Sequence, residues 1–310
     1  MLKLICPFLL ELLCSTMLYG QNTADTTAQL FEPGLISTKY PNRDIAISTD
    51  GNEVFYTLQS YKREVSVIMR LVKVKGKWSK PQVASFSGQH GDLEPAFSPD
   101  GKRLYFVSNR SANGTTKEDY DIWYVDKTND KWGDPINIGT PVNTEENEFY
   151  PSITSKGDLY FTAEYEDNKG KEDIYVSRLV NGKYTNPESI SEAVNSKTYE
   201  FNAFIVPDES YILFTSYGRP DDLGGGDLYI SSKNDQGEWS PARHLSHSVN
   251  STALDYCPFV SADSKYLYFT SDRSSVTSAR DYKSIINMME SIENGFDNVY
   301  RISWDKILSE

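Results

Sequence analysis

A tight-turn signal recurs five times along the chain, at Thr49-Asp50-Gly51, Pro99-Asp100-Gly101, Ser155-Lys156-Gly157, Pro207-Asp208-Glu209 and Ala262-Asp263-Ser264. The third positions lie 50, 56, 52 and 55 residues apart, a mean of about 53. A period of this size restricts the fold to arrays of one supersecondary unit, because a single copy cannot bury its own apolar face. Each signal follows a short apolar segment, at residues 45–48, 95–98, 151–154, 203–206 and 258–261. It precedes an aromatic one, at residues 53–58, 103–108, 158–163, 211–216 and 266–271, whose pattern suits a strand buried on both sides. Third strands are expected at residues 66–74, 121–126, 173–177, 227–231 and 297–302. A turn bearing Trp78, Trp132, Tyr184 or Trp239 comes next, and a fourth strand starts after Pro81, Pro135, Pro187 or Pro241.

Four antiparallel strands per repeat, arranged radially, predict an all-β five-bladed β-propeller; linear solenoids have shorter repeats. The fifth repeat lacks a fourth strand. Residues 33–38 resemble residues 135–140, the fourth strand of the second repeat, so an N-terminal outer strand is expected to complete the last blade and close the ring. Residues 1–20 read as a signal peptide, residues 21–32 as a short leader, and residues 33–310 as a single propeller domain. Lys3 precedes an apolar run that ends at Gly20; Cys14 raises a lipoprotein alternative, which the large residue Leu13 before it disfavours. A periplasmic or secreted protein follows, with Cys257 as its one remaining cysteine.

Composition narrows the partners. The 310 residues carry 31 Lys and Arg against 44 Asp and Glu, a formal net charge of −13. Phosphate backbones and anionic membrane surfaces call for a basic face, so nucleic acid is excluded as a partner, and the apolar run at residues 4–13 is too short for a transmembrane segment. A hydrophobic share of 38% argues against disorder.

The run Ser98-Pro99-Asp100-Gly101-Lys102-Arg103-Leu104-Tyr105-Phe106-Val107-Ser108-Asn109-Arg110, followed by Tyr120-Asp121-Ile122-Trp123, resembles the WD-repeat-like β-propeller repeat of TolB-type bacterial proteins. Tyr266-Leu267-Tyr268-Phe269-Thr270-Ser271-Asp272-Arg273 repeats it. The resemblance implies a cell-envelope propeller that docks a partner. Five blades rather than six, with no added domain, set this chain apart from TolB itself.

Asp92, Glu148, Glu200 and Asp255 each stand three residues before the same point of an inner strand, with Asn42 in the first repeat. Four carboxylates would ring the channel mouth on the face of the longer loops, as a ligand site for a glycan, a basic peptide or a divalent cation. The alternative is that each acid accepts hydrogen bonds within its own blade. Repetition favours the latter, since a catalytic group breaks a repeat rather than following it. Asp121, Asp173, Asp227 and Asp297 suit loop capping. Gly224-Gly225-Gly226 has no following helix or lysine, His244 and His247 lack metal spacing, and Cys257 suits packing. Residues 281–293 have helical apolar spacing and form either a helix packed outside the ring or a lid.

The expected function is a non-catalytic, monomeric scaffold that binds an envelope protein or glycan through the long-loop face, with no cofactor. The alternative is a carbohydrate-active enzyme of glycoside hydrolase type, with an acid and nucleophile drawn from Asp92, Glu148 and Glu200. Their equivalent positions weigh against it, because such a pair needs separated pKa values.

Overall fold

The computed structural model describes residues 27–111, 116–166, 168–278 and 281–309; the expected signal peptide lies outside them. The chain forms a five-bladed β-propeller. From the channel outwards, blade 1 comprises Asn42–Ile47, Glu53–Gln59, Ser66–Val74 and Gln82–Val83. Blade 2 comprises Asp92–Phe97, Arg103–Arg110, Thr116–Thr128 and Ile136–Asn137. In blade 3 the strands are Glu148–Ile153, Leu159–Ala163, Asp173–Ser177 and Glu188–Ser189. Blade 4 follows with Tyr199–Ile205, Tyr211–Tyr217, Asp227–Ser232 and Arg243–His244. Asp255–Val260, Tyr266–Ser271 and Asn298–Ser303 build blade 5, and Gln29–Leu30 supplies its outer strand.

The second strand of each blade is packed on both faces. Val54, Leu104, Leu159, Ile212 and Leu267 hold equivalent positions and are all 0% exposed. Five apolar clusters fill the five junctions, including that between blades 5 and 1, where Tyr268 and Val299 meet Val54, Tyr56 and Phe31. The closing strand pairs Gln29 with Arg301 and Leu30 with Tyr300, and Phe31 N–H donates to Val299 O at 2.8 Å. It thus lies upstream of the expected residues 33–38. Pro33 has no N–H to extend a ladder, and Gly34 turns at φ 80°, so that segment bends inward and buries Ile36 instead. At the other end, Trp304–Ser309 is a short helix rather than the tail of a strand, and it packs Trp304 and Ile307 between blades 4 and 5.

Inner strands begin earlier than their apolar segments because each contains a β-bulge. Pairing with the second strand slips after Arg43, Leu93, Phe149, Phe201 and Tyr256. The bulge hides the alternation that would have marked the upstream half.

The periodic acids fasten this upstream half. All four are 0% exposed. Glu148 accepts from Thr144 N–H and Oγ1, Glu200 from Ser196 N–H and Oγ, and Asp255 from Ser251 N–H and Oγ. Asn42 repeats the geometry with Thr38 at 3.0 and 2.6 Å, while Asp92 uses Ser87 Oγ at 2.8 Å. A donor from the end of the second strand or from the loop after it completes each acid. Arg110, Arg219 and Arg273 bridge Asp92, Glu200 and Asp255 to a backbone carbonyl, at Phe86, Val194 and Val249. In blade 3 the Tyr165 hydroxyl takes that place, between Val142 O at 3.2 Å and Glu148 at 3.1 Å. Just upstream, Asn143, Asn195 and Asn250 each pair with both backbone groups of one third-strand residue, Ile122, Ile174 or Leu228. The acids therefore lock the incoming loop to its own blade.

The glycine run also belongs to blade contacts. A Cβ on Gly224 would lie 2.2 Å from Thr252 O, and one on Gly225 2.9 Å from Leu254 N. Asp173 and Asp227 cap the loops before them as expected, accepting from Lys169 N–H and Leu223 N–H. The insertion forms a helix, Tyr282–Met289, capped by Asp281, and none of its residues is buried. It is tied to the long-loop face through Glu290 with Lys39, 3.4 Å apart.

Two outcomes follow. Phe31 is 4% exposed and meets Tyr268 edge-on with centroids 5.0 Å apart, so Phe31→Ala should cost about 3–5 kcal/mol in urea unfolding. A loss below about 1 kcal/mol would mean that the ring does not depend on this latch. Burial pushes the Glu148 carboxyl up from its ordinary 4.5 to about 7. Between those values the folded protein holds more protons than the unfolded chain, so stability falls as pH rises through the window. Glu148→Gln should flatten the fall in Tm between about pH 5 and about pH 7. Glu172, also raised by burial to about 7, should keep part of the slope. Parallel melts of the two proteins with equal slopes would contradict this.

Candidate active site in the central channel

The bulge residue of each inner strand is Asp44, Glu94, Tyr150, Asn202 or Cys257, with φ of 57°, 56°, 50°, 49° and 53°. A left-handed conformation is costly for such side chains, and the bulge that imposes it re-aims the residue towards the axis. Each stands two positions after the periodic acid or Asn42. The backbone therefore repeats five times while the chemistry differs at every blade. Hydroxyls from the preceding blade hold three of the bulges: Thr270 Oγ1 accepts from Asp44 N–H at 3.2 Å, Thr57 Oγ1 from Glu94 N–H at 3.1 Å, and Thr162 Oγ1 from Asn202 N–H at 3.1 Å. The corresponding residue before Tyr150 is Val107, which cannot accept. Glu94 Oε2 fills that role instead, 2.6 Å from Tyr150 N–H.

These side chains meet across the ring. Arg43 Nε donates to Asp44 Oδ1 at 2.7 Å, and its Nη2 donates to Glu94 Oε1 at 2.9 Å. Asn202 Nδ2 reaches the same Glu94 oxygen at 3.3 Å, and Cys257 Sγ donates to Asp44 Oδ1 at 2.8 Å. The Arg43 guanidinium also lies over the Tyr256 ring, 4.9 Å from its centroid. Arg43, Asp44 and Glu94 are 6%, 1% and 3% exposed, so two acids and one base share a site almost without water. One guanidinium cannot neutralise both carboxylates, and an uncompensated buried charge is removed by protonation. Burial and the neighbouring Asp44 charge raise the Glu94 carboxyl above the carboxylate range, against the pull of Arg43 and of the Tyr150 and Asn202 hydrogen bonds. Burial likewise pushes the Cys257 thiol well up, which keeps it neutral and unreactive. Asp44 Oδ2 is buried and has no hydrogen-bond partner among the described residues.

A cavity of about 360 Å³ lies on the axis, walled by the downstream halves of the inner strands. Glu94 and Tyr150 line it at the level of the bulges, and Glu94 is its only carboxylate among the described residues. It opens between the tight turns, at Ser98, Ser155, Pro207 and Ser261. Towards the long loops, Tyr256, Cys257 and Tyr150 pack with Phe149, Phe201 and Leu254 and fill the channel. The hollow part of the channel is thus on the compact face, not the long-loop face from which ligand binding is expected. The expected site residues Asp92, Glu148, Glu200 and Asp255 do not join the central cluster, being engaged in their blades. His244 binds Asp227 at 2.7 Å on the outer side of blade 4. Among the described residues no group of three or more His, Cys, Asp or Glu could hold a metal ion. The sequence does contain a signal for the central cluster: the position two residues beyond the periodic acid or Asn42 reads Asp, Glu, Tyr, Asn and Cys, a break in the repeat.

No family model and no curated protein sequence matches this chain. Among solved structures it resembles the catalytic domain of a GH62 α-L-arabinofuranosidase from Coprinopsis cinerea, with TM-score 0.52 and 10% identity over 91% of this chain and 98% of that one. It also resembles an endo-arabinase from Bacteroides thetaiotaomicron, with TM-score 0.51 and 14% identity over 87% and 96% of the two chains. At such identities the likeness establishes the five-bladed fold, and neither match is a TolB-type protein. The expectation of a non-catalytic scaffold is corrected here, because these whole-length counterparts are enzymes and the channel holds a carboxylate pair in unlike surroundings.

Proposed function

We propose that the protein is a carbohydrate-active enzyme that hydrolyses a glycosidic bond in the central cavity. The observation that carries this reading is the Asp44–Arg43–Glu94 cluster on the axis, in which burial and the neighbouring Asp44 charge raise the carboxyl that faces the cavity. Glu94 is the general acid: its proton passes to the leaving glycosidic oxygen as the bond to the anomeric carbon breaks. Water supplies the new bond to that carbon and releases its proton to solvent, while Asp44, which does not line the cavity, holds Arg43 against Glu94 as a positioning residue. Arabinose-containing glycans are the first substrates to examine, since an arabinofuranosidase and an endo-arabinase share the fold. Residues 1–20 and the TolB-like repeat motif favour an exported enzyme, which suits a polysaccharide substrate.

The test is turnover of arabinan and an aryl α-L-arabinofuranoside by wild type and Glu94→Gln. The variant should lose at least about 100-fold in kcat/KM, as expected for removal of a general acid. Wild-type activity should fall as pH rises above the elevated Glu94 value, because the acid must carry its proton. Turnover that survives in Glu94→Gln would overturn the assignment.

A further inference from the structure

One register of the second strand serves the bulge of the following blade. Thr57, Val107, Thr162, Thr215 and Thr270 occupy it, each paired across the ladder with the residue just before a bulge: Arg43, Leu93, Phe149, Phe201 and Tyr256. Four of the five carry a hydroxyl, and three of those hydroxyls accept from the next blade's bulge amide. Val107 is the exception, and it lies in the blade of Glu94, directly across from Leu93. Packing does not ask for valine there. All five side chains are 0% or 1% exposed, and threonine has the branched shape of valine, so burial accepts either.

The missing hydroxyl decides where the Glu94 carboxyl points. With no acceptor at Val107, the Tyr150 N–H donates to Glu94 Oε2 at 2.6 Å, a short charge-assisted bond. Glu94 Oε1 accepts from Arg43 Nη2 at 2.9 Å and from Asn202 Nδ2 at 3.3 Å. The carboxyl is thus anchored at both oxygens, from three other blades, beside the cavity that it lines. Anchored at one oxygen alone it would turn, since the terminal torsion of a glutamate is broad. Tyr150 is a firm anchor, because its hydroxyl donates to Pro258 O at 3.0 Å in blade 5. Val107 itself does not line the cavity. We propose that Val107 is a positioning residue for the channel acid: by withholding the hydroxyl present at this register in the other four blades, it leaves the Tyr150 amide to Glu94 and fixes the carboxyl. Its catalytic meaning rests on the carbohydrate reading above; its effect on Glu94 does not.

The titratable and charged groups that face Glu94 are Arg43 and Asp44 of blade 1, Tyr120 of its own blade, Tyr150 of blade 3 and Cys257 of blade 5. Val107→Thr alters none of them. Its hydroxyl should capture the Tyr150 N–H and so remove one of the bonds that favour the ionised Glu94. The Glu94 carboxyl resonance, identified in carbon-labelled protein as the one that Glu94→Gln removes, should therefore titrate about half a pH unit or more above wild type. Val107→Ala adds no hydroxyl and should leave that titration in place, while losing stability through the cavity it makes. Should Val107→Thr fail to fold, Val107→Ser against Val107→Ala isolates the same hydroxyl. In turnover of the aryl arabinofuranoside, Val107→Thr should lose about 10-fold or more in kcat with little change in KM, and its alkaline limb should rise with the Glu94 value. An unmoved titration in the hydroxyl variants, or an equal move in Val107→Ala, overturns the proposal. A moved titration without any Glu94-dependent turnover refutes only the catalytic reading; Glu94-dependent turnover without the move refutes only this one.

Discussion

Everything in this molecule depends on second strands that are apolar on both faces. A sheet of that kind has no stable life alone, since each side needs a neighbouring blade. In an open array the two end blades would each leave one such face in water. The junction of blades 5 and 1 removes that exposure, and Gln29, Leu30 and Phe31 hold it by pairing the start of the chain with its last long strand. Interblade burial is therefore cooperative around the ring, which gives a rigid channel wall with no disulfide among the described residues.

Rigidity at the wall is what lets the inner strands diverge in chemistry. The acid at the head of each inner strand, or Asn42 in its place, fixes the incoming loop, and the bulge two residues later sets one side chain on the axis. The fixing is done by short-range partners in the same blade, such as Ser196 with Glu200 or Ser251 with Asp255. The axial residue is thereby free of structural duty in its own blade and can be Asp, Glu, Tyr, Asn or Cys without loss of the fold. Glu94 is the partial exception. It replaces the hydroxyl missing at Val107 and so holds blade 3 as well as facing the cavity. That dual bond orients the carboxyl while leaving burial to set its proton affinity.

The architecture was legible because propeller repeats write the same turn, aromatic strand and aromatic turn at each period. The closing strand was misplaced because Gln29–Leu30 is too short to have a pattern, and the better-looking residues 33–38 contain a proline that cannot pair. The site was one step removed from the visible signal. Asp92, Glu148, Glu200 and Asp255 stood out through their regularity, and regularity marks a scaffold device. Asp44 and Glu94 could be seen only by asking which register failed to repeat. Their partnership with Arg43 was out of reach, because a bulge changes the face on which a side chain emerges and sequence alternation cannot follow it.

Charge accounting joins the two levels. Arg70, Arg103 and Arg178 are spent on blade-to-strand pairs at the compact face, and Arg110, Arg219 and Arg273 on the periodic acids. On the axis a single Arg43 serves two carboxyls, and burial together with the Asp44 charge raises the Glu94 carboxyl. A carboxyl raised in this way and facing a largely apolar cavity suits the general-acid role proposed for it. Beyond the bond from Tyr150 N–H, the pairing with Arg43 and Asp44 is costly to a scaffold, since replacing a buried ionic group by apolar side chains of similar volume is often neutral or stabilising. The two carboxyls of this costly cluster stand at positions that break the repeat, which is the physical argument behind the proposed catalytic reading.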